Sequence, residues 1–312
     1  MKITAARVTH IFCIVVLLLV SPCRPLLAQE WKRSVRGLFG EISQAVSSQD
    51  VGSLPAGIHA VHRSGISGIV IEPGMAEVFP HAWNGAPGLL DRYREAAVAD
   101  RGLVAAINGT FFGTQGVLGQ LVIGRKRPRG IRQMPASFSR CFLALLSGTG
   151  GSRWVLGETA VHGDTLCQPE FFTTSRFNRP IQEGERLEHL LGGGGWIVRD
   201  GRDVHMEAYG RQKFRFRKAD QDSRHTIVAM DRQNRLYLLI AETGSNLERV
   251  SSLLRDPTAF DSITDAIFFD GGSSSVLIAN GQYLVAPLYL VDKARYSALF
   301  VRVPAPDGSV TP

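Results

Sequence analysis

Apolar and polar positions alternate along this chain in two distinct periods. Trp31, Val35, Leu38, Phe39, Ile42 and Val46 recur at helical spacing with Lys32, Arg33 and Arg36 on the other side, which predicts an amphipathic helix whose cationic face is solvated. Leu89, Leu90, Tyr93, Ala96 and Ala97 predict a second helix, stopped by Gly102 and leading into a strand at 103–107. Later the period falls to two and turn signals multiply. Residues 195–199 end on Asp200-Gly201, a hairpin pair; 226–230 and 236–241 flank the polar turn 231–235; and 276–279 and 283–285 flank Asn280-Gly281. Ser245-Asn-Leu-Glu248 reads as a capping box opening a helix that Pro257 ends, and an apolar strand at 266–269 follows. Hairpins with a few interposed helices predict an α+β fold: a mixed, largely antiparallel sheet with covering helices, in a single domain.

The first residues follow another logic. Lys2 and Arg7 precede the apolar run 11–20, then Ser21-Pro22 and a small residue at Ala28, the pattern of a secretory signal peptide over 1–28. The apolar run is too short to span a bilayer, which takes about 20 residues. The expectation is export to a secreted or periplasmic location with no stable membrane insertion after cleavage. The expected organisation is then a helix and lead-in over 29–60, a catalytic domain over 61–304 and a tail at 305–312.

Cleavage removes three cations and no acid, lowering the formal charge of +7 and leaving a mildly basic protein. That balance suits anionic envelope polymers and falls short of a nucleic-acid-binding signature. Cys13 and Cys23 leave with the signal segment, so Cys141 and Cys167 either form one disulfide or remain free thiols.

Candidate chemistry concentrates at strand ends. The run 266–269 stops on Asp270 and gives way to Gly271-Gly272-Ser273-Ser274-Ser275. Two glycines let the backbone approach a ligand, and the serines add donors beside exposed N–H groups, so an anion cradle lies next to an acid. Alone, the segment is equally a strand followed by a Gly/Ser turn. Asn108-Gly109-Thr110-Phe111-Phe112 also ends a strand on a polar residue followed by glycine, and Asn108 could donate its amide to a substrate oxygen. Four glycines, 192–195, precede the strand at Trp196 without a helix start behind them, which excludes a nucleotide fingerprint. His59 and His62 fall three apart in a predicted strand and point to opposite faces, a poor zinc pair. The chain lacks Cys-x-x-Cys, His-Glu-x-x-His, a Walker loop, a Gly-x-Ser-x-Gly elbow and Ser-x-x-Lys, which argues against common zinc proteases, P-loop enzymes, elbow hydrolases and Ser/Lys transpeptidases.

Taken in order, Asn108-Gly109-Thr110-Phe111-Phe112, Gly193-Gly194-Gly195 before Asp200-Gly201, Arg224-His225-Thr226 and Asp270 to Ser275 resemble the motif series of the phosphodiester glycosidase family. The chain departs from that series at Thr110 and Ser273, which stand where the family has glycine, and at His225, which separates Arg from Thr. The resemblance implies hydrolysis of a sugar from a phosphodiester in a glycosyl-phosphate-containing glycan or small glycoconjugate. It implies that Asp270 acts at the anomeric carbon, that Asn108 positions a sugar or phosphate oxygen, and that Arg224 clamps the phosphate through two parallel hydrogen bonds. Gly109, Gly194, Gly271, Gly272, Ser274 and Ser275 would line the substrate, and Glu242, at the end of the 236–241 strand, is a candidate second carboxylate. No cofactor is expected; a divalent cation on Asp270 lacks the acidic cluster it would need. The alternative reading is a non-catalytic carbohydrate or polyanion-binding envelope protein of the same fold, supported by Thr110 and Ser273.

Overall fold

The computed structural model describes residues 51–304 except 86–87, 135–137, 162, 215–222, 261–262, 289–291 and 295, and it leaves the side chains of 163–164 and 243–245 aside. The signal segment, the helix expected at 31–46, the tail and most of the basic run 211–218 lie outside the described residues.

Two sheets carry the fold. The larger runs in spatial order Ile58–Arg63, Ile66–Ile71, Leu236–Ser245, Ser223–Asp231, Ile263–Phe268, Arg186–Arg199, Arg140–Gly148, Gly151–Thr159 and Arg176–Phe177, with Leu121–Val122 and Arg202–Asp203 also paired to the long Arg186–Arg199 strand. The smaller runs Gln282–Val285, Leu277–Ala279, Leu103–Asn108, Ser297–Arg302 and Glu77–Ala82. Every pairing between these strands is antiparallel, so the expected mixed sheet is corrected to antiparallel sheets. The covering helices are Leu89–Ala99, Pro169–Thr174, His205–Gly210 and Leu247–Leu254.

Strand periodicity explains the layering. Val228, Met230, Leu236, Leu238, Ile240, Ile267 and Phe269 point to one face of the larger sheet and meet Ala105, Ile107, Leu277, Leu299 and Val301 of the smaller, forming the core between them. Their neighbours Ile227, Ala229, Tyr237, Leu239, Ala266 and Phe268 point the other way, where Ala208 and the Leu247, Val250 and Leu254 stripe cover them. Leu89 and Tyr93 cover the outer face of the smaller sheet at Ala106, Ile278, Ala298 and Phe300. Each large aliphatic or aromatic side chain so buried stabilises by about 1.5–3 kcal/mol.

The hairpins form as the residues predict. Asp200 and Gly201 take φ of 52° and 71°, and Asn280 and Gly281 take 47° and 75°, the left-handed pairs of tight hairpin turns. Asp231 shapes its turn with its side chain: the carboxylate accepts from the backbone N–H groups of Gln233 and Arg235, both at 2.9 Å, and from the Tyr237 hydroxyl. One boundary shifts. The cap of the Leu247–Leu254 helix is Asn246, whose side chain accepts from the Arg249 N–H at 2.7 Å; the helix starts one residue later than the box expected from Ser245, and with Arg249 in place of an acid at the third helical position it has a single cap and no box. Cys141 and Cys167 are free, the first buried and the second exposed.

Candidate active site

The segment Asp270–Ser275 is the crossover between the two sheets: it leaves the Ile263–Phe268 strand of the larger sheet and enters Leu277–Ala279 of the smaller. Asn108 ends the Leu103–Asn108 strand beside it. The Asn108 side chain, 2% exposed, donates from Nδ2 to the Asp270 carbonyl at 2.8 Å, while its Oδ1 accepts from the Thr226 hydroxyl at 2.8 Å and from the Val276 N–H at 3.1 Å. Thr226 lies on the larger sheet, and its Oγ1 also lies 3.2 Å from Ser275 Oγ, where it accepts that hydroxyl's proton while giving its own to Asn108. One amide thus ties both sheets and the crossover into a frame.

That frame fixes Asp270. Its backbone N–H donates to the Gly109 carbonyl at 3.3 Å, and Gly109 N–H donates to the Ser297 carbonyl at 3.0 Å. The carboxyl receives hydrogen bonds from the Ser274 hydroxyl and the Gly271 N–H, yet burial outweighs them and pushes it up to about 7. A carboxyl poised there exchanges its proton at neutral pH, as a general base or a nucleophile requires.

Several expected ligand contacts are used up inside the protein. Asn108 has its amide oxygen and one amide donor engaged by the frame, which leaves its second amide proton for any contact with a ligand. Gly109 has both backbone polar groups bonded, and its Cα packs against Ser297. Ser275 is fully buried against Thr226. Ser274 is bonded to the Asp270 carboxyl. Gly194 sits at a bulge of the Arg186–Arg199 strand, where a Cβ would meet the Phe268 carbonyl at 2.6 Å, so it is a packing glycine. Gly271 is one as well, since a Cβ there would lie 2.5 Å from the Arg224 carbonyl. Gly272 differs: its φ is +64° and nothing lies within 4 Å of an added Cβ, so it borders open space beside Asp270.

Arg224 is therefore next to the crossover through its backbone. Its guanidinium is buried and donates to the Ala286 carbonyl beyond the Gln282–Val285 strand. Burial lowers its affinity for the proton, and the charge of Glu242 opposes that effect. Glu242 accepts from the Ser67 hydroxyl at 2.9 Å, and Ser67 in turn lies 2.6 Å from His62 Nδ1. The expected second carboxylate belongs to this Ser67–His62 network.

Thr110, the departure expected to crowd a ligand, turns inward and is 1% exposed. Its hydroxyl occupies the space that a Cβ on Gly119 or Gly193 would claim, at 2.6 and 2.3 Å, and Gly193 takes φ of +102°. The missing side chains of those glycines accommodate it. Thr226, Ser297 and Tyr296 were not anticipated as site residues. Ser297 Oγ accepts the Thr110 N–H at 3.1 Å, and Tyr296 holds φ of 67°, a strained value for a bulky residue, with its ring 5.7 Å from that of Phe112. Thr226 stood in the Arg-His-Thr motif; nothing in the sequence marks Tyr296-Ser297. Among the described residues no cluster of three or more His, Cys, Asp or Glu is placed to hold a metal ion, and no helix is long and apolar enough to cross a membrane.

Two packed antiparallel sheets with an acidic Gly/Ser crossover between them, locked by a strand-end asparagine, define the class. The phosphodiester glycosidase family profile matches residues 101–299, about two thirds of the chain, and the protein belongs to that family. The zebrafish N-acetylglucosamine-1-phosphodiester alpha-N-acetylglucosaminidase catalytic domain, auto-inhibited by its pro-peptide, shares the fold with TM-score 0.54 and 18% identity, over 81% of this chain and 86% of that one. A putative exported protein from Burkholderia pseudomallei K96243 aligns with TM-score 0.52 and 12% identity, over 76% and 73%. A hypothetical protein from Synechocystis aligns with TM-score 0.50 and 15% identity over 79% of this chain, which spans 62% of that structure. No curated protein matches.

Proposed function

We propose that this protein is an exported glycosidase that hydrolyses a sugar-1-phosphodiester bond in an envelope or secreted glycan, with residues 61–304 as one catalytic unit and residues 1–28 removed on export. The observation that carries the reading is the Asp270 carboxyl, raised to about 7 at a sheet crossover that Asn108 and Thr226 lock in place. A glycosyl phosphate departs as a stable anion, so the reaction needs a base or nucleophile at the anomeric carbon more than it needs an acid at the leaving oxygen. Ionised Asp270 fills that role by activating water or by attacking the carbon. The open side of Gly272 leaves room for the substrate beside it. Arg224 stabilises the departing phosphate oxygen; to do so its guanidinium shares or exchanges its bond to Ala286 for one to phosphate.

The non-catalytic alternative loses one of its two supports, because Thr110 is absorbed by Gly119 and Gly193 and does not face the ligand side. Incubation with a panel of UDP-sugars and sugar phosphodiesters, with free sugar as the readout, tests the reading. Release that Asp270→Asn and Arg224→Ala both abolish is expected. Binding without turnover across the panel would overturn it.

A further inference from the structure

The stretch 124–133 carries Arg125, Lys126, Arg127, Arg129 and Arg132 and no acidic residue. All five side chains are exposed. The stretch is nevertheless a built feature with a pinned backbone. Gly124 and Arg125 take φ of 56° and 64°, forming a tight hairpin turn that Ile123 N–H closes onto the Lys126 carbonyl at 2.8 Å. Arg125 N–H donates to the Glu188 carbonyl at 2.9 Å, Gly124 N–H to His189 Nδ1 at 3.1 Å, and the Gln133 side chain exchanges hydrogen bonds with both backbone groups of Leu121 at 3.0 and 3.1 Å. Arg125 forks onto the Glu188 carboxylate, which compensates its charge. Arg132 donates to the neutral Gln115 amide oxygen at 2.7 Å and, among the described residues, makes no ion pair. Among the described residues, Lys126 and Arg129 make no ion pair.

The hairpin is joined to the site. At its return, the Arg132 carbonyl accepts from Val117 N–H at 3.0 Å, and Val117 pairs with Phe112, two residues beyond Thr110. At its tip it lies on the Arg186–Arg199 strand beside Glu188, six positions before Gly194, whose Cα rests on the Phe268 carbonyl. Six strand positions are roughly 20 Å, a span that one sugar phosphodiester does not cover.

We infer that this basic hairpin is a second binding surface, for the phosphate groups of an extended polyanionic glycan, so that the substrate is a phosphate-repeating chain lying from the hairpin to Asp270. The inference rests on the activity proposed above. Like charges gathered on one exposed stretch repel one another unless a partner neutralises them, and the hydrogen bonds at its two ends hold the stretch in place. A phosphate-bearing glycan is favoured over nucleic acid because no aromatic residue stands within 124–133 to stack a base.

The test is isothermal titration of the full protein with long-chain inorganic polyphosphate, using orthophosphate and dextran as small and uncharged controls. Binding of polyphosphate alone is expected, weakening as salt rises. Lys126→Glu/Arg129→Glu is expected to lower the affinity at least about tenfold, while Arg94→Glu/Arg101→Glu, two exposed cations in and just beyond the Leu89–Ala99 helix, changes it less than about twofold. Equal losses in both pairs, no loss in either, no polyphosphate binding at all, or tighter binding of a DNA duplex of equal charge would overturn the inference. Sugar release and polyphosphate binding separate the two claims. If Asp270→Asn keeps binding, and the hairpin variant loses binding yet still cleaves a small glycosyl phosphodiester, both claims are supported. Intact, hairpin-dependent binding with no sugar release from any substrate counts against the glycosidase activity and for the docking surface.

Discussion

Desolvation raises the proton affinity of two carboxylates in this protein, and their surroundings resolve it in opposite ways. Glu158, 3% exposed at the end of Gly151–Thr159, meets the Arg211 guanidinium, the Ser139 hydroxyl and the Trp196 indole N–H. Burial raises its affinity for a proton, but these bonds outweigh burial and hold the carboxyl below its ordinary range. Among the described residues Asp270 receives the Ser274 hydroxyl and the Gly271 N–H, and burial wins. The difference separates a carboxylate that cements a fold from one that is kept reactive. It also accounts for the backbone investment around Asp270: with no cation on the carboxyl among the described residues, the frame of Asn108, Thr226 and Gly109 fixes its position through the main chain instead.

The largest expected effect breaks the reactive member of the pair. Asp270→Asn should reduce sugar release by about 10³-fold or more, roughly 4 kcal/mol in transition-state free energy, in single-turnover assays. A drop below tenfold would assign the chemistry elsewhere. The same variant should not cost stability. The folded carboxyl binds its proton more tightly than the unfolded one, so its contribution is full below the ordinary value of 3.8 and lost as pH rises through about 7. Asparagine cannot ionise, and thermal melts should therefore show the variant gaining on the parent between those limits and staying ahead above them.

Glu158→Gln breaks the other member and should do the reverse. It strands part of the Arg211 charge and weakens the Ser139 and Trp196 bonds, lowering unfolding free energy by about 3 kcal/mol in urea titrations while folded protein keeps its activity. Because the Glu158 pKa is depressed, the parent's advantage should be present above the ordinary carboxylate value of 4.5 and fade as pH falls below it. Asn108→Ala comes next. Losing three buried hydrogen bonds should cost about 2–3 kcal/mol of stability and lower kcat with little change in KM, because those bonds hold the crossover that carries Asp270. A change confined to KM would restore it as a substrate contact. Thr110→Val should have the smallest effect: the buried hydroxyl has no hydrogen-bond partner among the described residues, so its removal should be neutral or stabilising by up to about 1 kcal/mol, with KM unchanged.

Much of the frame was legible in the residues because turn chemistry is local. Asp200-Gly201 and Asn280-Gly281 announce their left-handed pairs, and the apolar runs 226–230 and 236–241 around a polar turn announce a hairpin, while only the structure sorts their side chains between the two faces. The family resemblance named Asn108 and Asp270 together, and their contact, amide to main-chain carbonyl, appears only in the structure. What stayed hidden depends on contacts distant in sequence. A serine-rich loop looks like a row of ligand donors, yet Ser275 turns into the core because Thr226 on another strand receives it. Thr110 looks obstructive until Gly119 and Gly193 are seen to make room for it. Glu158 had no local signature, since Arg211, Ser139 and Trp196 reach it from three separate segments. The division into two sheets was hidden for the same reason, because strand order within a sheet is set by distant pairings.

The contrast between the two carboxylates reduces to one titration. Carbon-13 labelling of the aspartate carboxyls, followed by NMR from acid to mildly alkaline pH, should reveal one aspartate with a midpoint near 7 that disappears in Asp270→Asn. If every aspartate in the parent protein titrates in the ordinary acid range, the carboxyl is not held reactive by burial and the account of the site is wrong.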